Sequence, residues 1–277
     1  MVSAGELRRA FAELVAAGQP RAVIDAFATV ERERFVGDPP WLVGSLADPA
    51  VPYLAAPDGD LAHVYRDNVI ALVPDKQLNN GLPSAHARWL AAAAIAPGDH
   101  VLHVGAGTGY YTAILAELTG PAGRVLGYEL EAALVERART ALATRPWASV
   151  RLGDGGAPDG TFDAIYVSCG ATHARDEWLA ALRPGGRLVV PLTLHVPQVP
   201  HGVGVMLAMT RAGERWPARV VTPVGFYDCA GARDEAAAAQ VRGVMAHAAE
   251  PLAIARAPHE RGAACLLHHG AFCVQRA

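Results

Sequence analysis

The chain has 277 residues, of which 52% are apolar, enough for one large α/β domain with additions and too apolar for a disordered chain. Its formal net charge of -3, with acids and bases interspersed, speaks against a nucleic acid as the main partner. The four cysteines (Cys169, Cys229, Cys265 and Cys273) make neither a CxxC pair nor a zinc-spaced Cys/His cluster, so no metal is expected. The longest apolar stretch, around Trp89 to Ala96, falls far short of the roughly 20 residues that cross a bilayer.

Along the chain, Leu7, Ala10, Phe11, Leu14 and Val15 recur at helical spacing, which predicts a helix over Glu6 to Ala17. A second short helix is expected from Arg21 to Thr29. The stretch from Gly37 to Pro74, rich in Pro, Gly and Asp, reads as an irregular cap. Helix returns from Pro83 or Ser84 to Ala94 and stops before Pro97-Gly98.

A strand–helix alternation then begins. Strands are expected at Val101–Val104, Arg124–Tyr128, Ser149–Leu152, Phe162–Val167 and Arg187–Pro191. Helices are expected after the glycine turn through Leu118, over Glu131–Thr144 and over Asp176–Leu182. This order predicts a doubly wound α/β fold with a mainly parallel sheet covered on both faces. Val203–Thr210 and Arg219–Val224 read as closing strands of antiparallel sense. Beyond Gly231 come a helix (Glu235–Ala248) and an apolar run (Cys265–Val274), a tail whose role the sequence does not define.

The sharpest local signal is His103-Val-Gly105-Ala106-Gly107-Thr108-Gly109-Tyr110, set between a strand and a helix. Glycines here let the backbone turn tightly and bring a ligand to the open N–H groups of the helix start. The spacing is G-x-G-x-G, and Tyr110 sits where the third glycine of a dinucleotide fingerprint would fall, which disfavours a nicotinamide-linked oxidoreductase. Glu129-Leu130 ends the next strand about 20 residues on, placed for a carboxylate to accept two ribose hydroxyls. Gly153-Asp154-Gly155 follows the third strand, where a carboxylate can accept from an adenine amino group. Alone, either acid reads as a solvated loop residue; their joint order points to one ligand at the strand C-termini.

This ordered set resembles the Rossmann-like class I S-adenosylmethionine methyltransferases. Ala26–Val36 (AFATVERERFV), Val101–Tyr110 (VLHVGAGTGY), Gly153-Asp154-Gly155 and, more loosely, Val224–Asp234 (VGFYDCAGARD) resemble the protein-L-isoaspartate O-methyltransferases. The resemblance spans roughly Arg21 to Asp234. It implies S-adenosyl-L-methionine as cofactor, held by residues 103, 105–110, 129–130 and 153–155. It also implies three regions: 1–82 as N-terminal cap and acceptor-side segment, 83–230 as the cofactor-binding domain, and 231–277 as an extension.

Two departures stand out. The family has an acid where this chain has His103, whose neutral imidazole either organises hydrogen bonds to the ligand or ends a strand as a structural residue. The family's acceptor segment carries a threonine and a serine where this chain has Asn79 and Gly81, within Gln77-Leu-Asn79-Asn80-Gly81-Leu-Pro83-Ser84-Ala-His86. Asn80-Gly81 is either a tight turn or part of a remodelled acceptor pocket, in which Lys76 (the only lysine) or Asn79 receives a polar substrate group.

The function expected is transfer of methyl to a carboxylate, an aspartyl or isoaspartyl group of a peptide or protein. A carboxylate with a reference pKa near 4 needs no general base; a hydroxyl or amine acceptor would, with His86 or His173 as candidates. The alternatives are a dedicated biosynthetic peptide or small metabolite as acceptor, or a module that binds the cofactor without turnover. With no secretory signal in the sequence, the expected location is the reducing cytoplasm, with neither membrane nor nucleic acid as partner. Oligomeric state is left open.

Overall fold

The computed structural model describes residues 2–44, 53–56, 59–197, 199–256 and 262–277. The N-terminal part runs α1 (Ala4–Val15), α2 (Arg21–Thr29), α3 (Glu33–Val36), β1 (Trp41–Gly44), β2 (Leu54–Ala56), β3 (Val69–Val73), β4 (Leu78–Asn79) and α4 (Pro83–Ala93). The alternating part follows as β5 (His100–Val104), α5 (Tyr110–Thr119), β6 (Arg124–Glu129), α6 (Ala132–Ala141), β7 (Ala148–Leu152), β8 (Phe162–Val167), α7 (Asp176–Ala181) and β9 (Leu182–Leu194). Last come β10 (Gly202–Thr210), β11 (Arg215–Phe226), α8 (Glu235–Ala246), β12 (Leu252–Ala255), β13 (Cys265–His269) and β14 (Phe272–Arg276).

Packing divides the chain into two compact units. The first holds Met1–Ala91, Ile95–Gly98 and Ala106–Leu152; the second holds Ala92–Ala94, Asp99–Gly105 and Gly153–Ala277.

In the first unit, α1 starts on a capping box. Ser3 Oγ accepts from Glu6 N–H, and Glu6 Oε2 accepts from Ser3 N–H at 2.8 Å. Its buried face (Phe11, Ala12, Val15) meets an aromatic group that also takes in Phe27, Tyr65 and Tyr110. Arg32 lies fully buried there, its guanidinium 5.3 Å from the Phe11 ring centre and 5.9 Å from that of Tyr110. It donates to the carbonyls of Val64, Arg66 and Asn68, and so ties the loop before β3 to the helices.

The cap read as irregular contains a small antiparallel sheet in the order β2-β1-β3-β4. Its strands are short and Pro/Gly-flanked, and the pairing of Trp41 with Ala56 and of Val43 with Ile70 is not local in sequence. Periodicity therefore carries no trace of it. The same unit contains β6 and β7, paired in parallel from Val125↔Ala148 to Glu129↔Leu152, with α5 almost wholly buried.

The second unit orders its strands β13-β14-β12-β11-β10-β9-β8-β5. β5, β8 and β9 are parallel; β10 to β14 pair antiparallel, as the sequence suggested for the first two of these strands. Val101, Leu102, Ile165, Val167, Leu188 and Val190 form its fully buried core. At the starts of these strands Asp163 Oδ2 accepts from His100 N–H at 2.8 Å and pairs with Arg183 at 2.6 Å, and Asp99 pairs with Arg187. The tail is thus part of the sheet: β12 lies against β11, and the β13–β14 hairpin lies against β12.

Candidate active site

The glycine turn has the backbone that its sequence demands. Gly105, Gly107 and Gly109 all have positive φ, at 79°, 55° and 88°. A Cβ on Gly105 would stand 3.1 Å from the Ser168 carbonyl oxygen, and one on Gly109 would press on Ala138 and Leu142. Only glycine combines that φ with that closeness.

Within the first unit the turn closes onto Glu129. Gly107 N–H donates to Glu129 Oε2 at 2.8 Å, while Glu129 Oε1 accepts from Leu130 N–H at 2.8 Å and Glu131 N–H at 3.0 Å. Ala106 N–H donates to the Tyr128 carbonyl at 2.9 Å, which fixes the turn to the end of β6. Thr108 and Tyr110 are buried, and the Tyr110 ring packs among Phe27, Phe35 and Tyr111. Tyr110 therefore has only its backbone to offer a ligand. Leu130 and Leu152, at the ends of the paired strands β6 and β7, are 52% and 57% exposed.

The acceptor-side residues also fall in the first unit. Lys76 Nζ sits 2.7 Å from both carboxylate oxygens of Glu131, so a substrate group at Lys76 has to compete with that carboxylate. Asn79 Oδ1 accepts from Gly81 N–H at 2.9 Å and its Nδ2 donates to Tyr53 Oη at 3.2 Å. Asn80 continues the β3–β4 pairing: its N–H donates to the Ile70 carbonyl and its Oδ1 accepts from Ile70 N–H at 2.8 Å. Gly81 has φ 71°, and a Cβ there would lie 2.4 Å from His86 Nε2. His86 is buried and stacked on Tyr111, with ring centres 3.5 Å apart and planes 3° from parallel.

In the second unit His103 is fully buried at the end of β5, its Nε2 3.1 Å from Ser168 Oγ. Burial pushes its pKa down to about 3, so the ring is neutral at physiological pH. His173 is pushed down to about 4, first by burial and then by His269, whose ring stacks on it at 3.7 Å. Asp154, between Gly153 and Gly155, accepts from Gly156 N–H at 2.9 Å and pairs with Arg175 at 3.0 Å. The Gly156 hydrogen bond, with the Arg175 charge beside it, lowers its pKa. Trp178 Nε1 donates to the Gly155 carbonyl at 2.8 Å and anchors the turn.

Tyr53, Glu131, Ser168 and Arg175 join the picture only in three dimensions, because nothing in the sequence links Lys76 to Glu131 or Arg175 to Asp154. The same holds for a cavity of about 540 Å³ in the second unit, past the end of β9. It is lined by His195, Asp228, Arg233 and Arg242 among others, with His195 Nε2 3.0 Å from Asp228 Oδ2. Among the described residues no cluster of His, Cys, Asp and Glu is arranged to hold a metal.

Comparison with known proteins adds the following. A family model described as protein-L-isoaspartate(D-aspartate) O-methyltransferase matches residues 57–203. The chain is 35% identical over 220 residues to the protein-L-isoaspartate O-methyltransferase of Methylorubrum extorquens, covering 77% of this chain and 83% of that protein. With its counterpart in Methylorubrum populi it shares 33% over 232 residues, covering 82% and 95%. A solved protein-L-isoaspartate O-methyltransferase superposes with a TM-score of 0.65 at 19% identity, covering 81% of this chain and 66% of that one. A Plasmodium falciparum structure described as such a methyltransferase in complex with S-adenosyl-L-homocysteine gives 0.60 at 15%, covering 80% and 97%. These two likenesses show the fold, the Rossmann-like α/β architecture of class I methyltransferases.

Proposed function

We propose, from the premise that this chain belongs to the protein-L-isoaspartate(D-aspartate) O-methyltransferase family, how its residues divide the work of a carboxyl methyltransferase. The chain is an S-adenosylmethionine-dependent O-methyltransferase, and its acceptors are isoaspartyl groups of peptides and proteins. The cofactor supplies an electrophilic methyl on a sulfonium.

The observation that carries the cofactor reading is the clasp between Gly107 N–H and the Glu129 carboxylate. In a dinucleotide-binding turn the loop amides face a diphosphate. Here a carboxylate occupies that amide and would repel a diphosphate, yet beyond its three backbone bonds it keeps one acceptor position, on Oε2, for a ribose hydroxyl. The cradle fits a ligand without phosphates. We assign Glu129 to the ribose, the backbone of residues 105–110 to the amino-acid portion, and the exposed side chain of Leu130 to the flat face of the adenine. Asp154, steered by Arg175, is assigned to the adenine amino group, with Gly153 and Gly155 shaping its turn. His103, buried and neutral on Ser168, supports the strand end rather than the ligand.

An acceptor carboxylate is ionised at neutral pH, so the acceptor-side residues have to align it and keep water out. We assign alignment to Asn79, whose amide is already turned toward Tyr53 Oη, and shaping of the loop to Asn80, Gly81 and His86. With no hydroxyl at 79 or 81, generic isoaspartyl peptides are expected to react roughly ten- to hundredfold more slowly than a hydroxyl-bearing loop would allow. Among isoaspartyl peptides, those whose shape lets the carboxylate reach the Asn79 amide are expected to react best. The reducing cytoplasm is the location that accompanies this reading; no described helix is long and apolar enough to cross a membrane.

The test is incorporation of labelled methyl from S-adenosylmethionine into matched isoaspartyl and aspartyl peptides. Base-labile label on the isoaspartyl series is expected. Cofactor binding without label on any carboxylate would overturn the catalytic reading, and tighter binding of NAD than of S-adenosylhomocysteine would overturn the cofactor assignment.

A further inference from the structure

We propose that Cys265 and Cys273 form a redox-reactive dithiol that closes to a disulfide and staples the C-terminal hairpin. The two residues stand on neighbouring strands, β13 and β14, eight positions apart, with the Cys273 thiol donating to Cys265 Sγ at 3.3 Å. Cys265 lies opposite Gln275, and Cys273 is two residues from Gln275, so all three side chains share one face of the hairpin. A β-bulge between Cys265 and Leu267 breaks the regular register beside the pair. Local twist of that kind lets diagonal side chains reach each other.

Across the sheet the face meets small residues, since Ala255 is the partner of Cys273 and Ala253 that of Gln275. There is no bulky side chain at those positions to hold the sulfurs apart. The exposures differ in a useful way. Cys265 is half-buried and Cys273 is buried, so an external oxidant meets Cys265 first and Cys273 waits behind it. Gln275 Nε2 lies 3.4 Å from Cys265 Sγ and 3.6 Å from Cys273 Sγ, an N–H for whichever sulfur carries the negative charge during exchange.

The chemistry is thiol–disulfide exchange with a low-molecular-weight disulfide, RSSR, as oxidant. The Cys265 thiolate attacks one sulfur of RSSR, forming a Cys265–S–SR bond and expelling RS⁻. The Cys273 thiolate then attacks Cys265 Sγ, forming the Cys265–Cys273 bond and expelling the second RS⁻. The two protons lost by the protein thiols end on the two RSH molecules, and two electrons pass from protein to oxidant.

The staple would act beyond its own loop. Ala271 N–H at the hairpin tip donates to Asp176 Oδ1 at 2.9 Å, and His269 stacks on His173. On the α8 side, His268 N–H donates to Gln240 Oε1 at 3.1 Å. Closing the dithiol fixes the strands that make these contacts.

The experiment equilibrates the full-length protein with graded ratios of glutathione disulfide to glutathione, blocks remaining thiols by alkylation, and weighs the tryptic peptide 262–276, which holds both cysteines. Expected is recovery of this peptide 2 Da lighter and unalkylated, with Cys169 and Cys229 alkylated. The native protein should reach half-oxidation at a ratio at least about tenfold lower than the same chain in denaturant, the mark of thiols held together by the fold. Amide exchange in β13 and β14 should slow about tenfold or more on oxidation, and Cys265→Ser should abolish both effects. Two alkyl groups on the peptide at every ratio, a persistent glutathione adduct, equal oxidation in denaturant, or unchanged amide exchange would each overturn the proposal.

Discussion

Glu129 holds three backbone N–H groups at once, from Gly107, Leu130 and Glu131, and so links a ligand-facing turn to the end of a strand. Replacing it with alanine removes the proposed ribose acceptor and releases the turn. Affinity for S-adenosylhomocysteine is expected to fall by about 1.5–3 kcal/mol, or ten- to hundredfold, and calorimetry on the folded variant checks it. Gly81 allows a sharper test. A serine there would place its Cβ 2.4 Å from His86 Nε2 in a backbone of positive φ, so Gly81→Ser alone should lower Tm and should not speed methylation. The double variant Gly81→Ser/His86→Ala removes the clash; faster turnover of isoaspartyl peptides than in either single variant is the expected result. Equal rates across all four proteins would show that the missing hydroxyl is irrelevant to the acceptor. The spacing of residues 105–110 and 129 made the cofactor side legible in the sequence, because a strand, a glycine turn and an acid follow one another locally. The commitments of Lys76 to Glu131 and of Asp154 to Arg175 were not legible. They are ion pairs between residues 55 and 21 positions apart, and no periodicity records them.

At the scale of elements, the β–α alternation could be read because Val101–Val104 and Phe162–Val167 are short apolar runs between turn signals, as a strand buried on both faces requires. The sheet β2-β1-β3-β4 could not, because strands of two to five residues carry too little pattern. What secures β4 is a side chain acting as backbone: Asn80 Oδ1 takes the N–H of Ile70 where the ladder would otherwise end. Asn80→Ala leaves that buried N–H unpaired. It should cost about 1–3 kcal/mol of stability and raise KM for the acceptor more than it lowers kcat, as measured by denaturant melts and peptide kinetics. β12, which falls between the helix and the apolar run expected in the tail and is not itself among the expected strands, is the four-residue run Leu-Ala-Ile-Ala, an apolar stretch short enough to be helix, strand or loop until β11 and β14 pair with it.

For the molecule as a whole, two buried histidines set an acid limit on stability. Burial depresses His103 to about 3 and burial with His269 depresses His173 to about 4, both below the ordinary value of 6.5. Above pH 6.5 both are neutral, folded or unfolded, and stability is unaffected. Below it the unfolded chain takes up protons that the folded chain refuses, so stability falls as pH drops from 6.5 toward 4, with a limiting slope near 1.4 kcal/mol per pH unit for His103 alone. His103→Gln should flatten that limb in melts run between pH 4 and 7; an unchanged slope would assign the acid sensitivity elsewhere. The tail bears on the same scale. β13, the outermost strand of the second unit, has five residues and a bulge, a poor template for another chain. Cutting the chain after α8 would strip β12, β13 and β14 from β11, a twelve-residue strand whose Arg215–Ala218 segment would then have open N–H and C=O groups. Light scattering of such a truncation should report concentration-dependent association. The extension thus does for β11 what a neighbouring copy could otherwise do: β12 takes up the ladder groups of Arg215–Ala218, and the run of strands stops at the short, bulged β13.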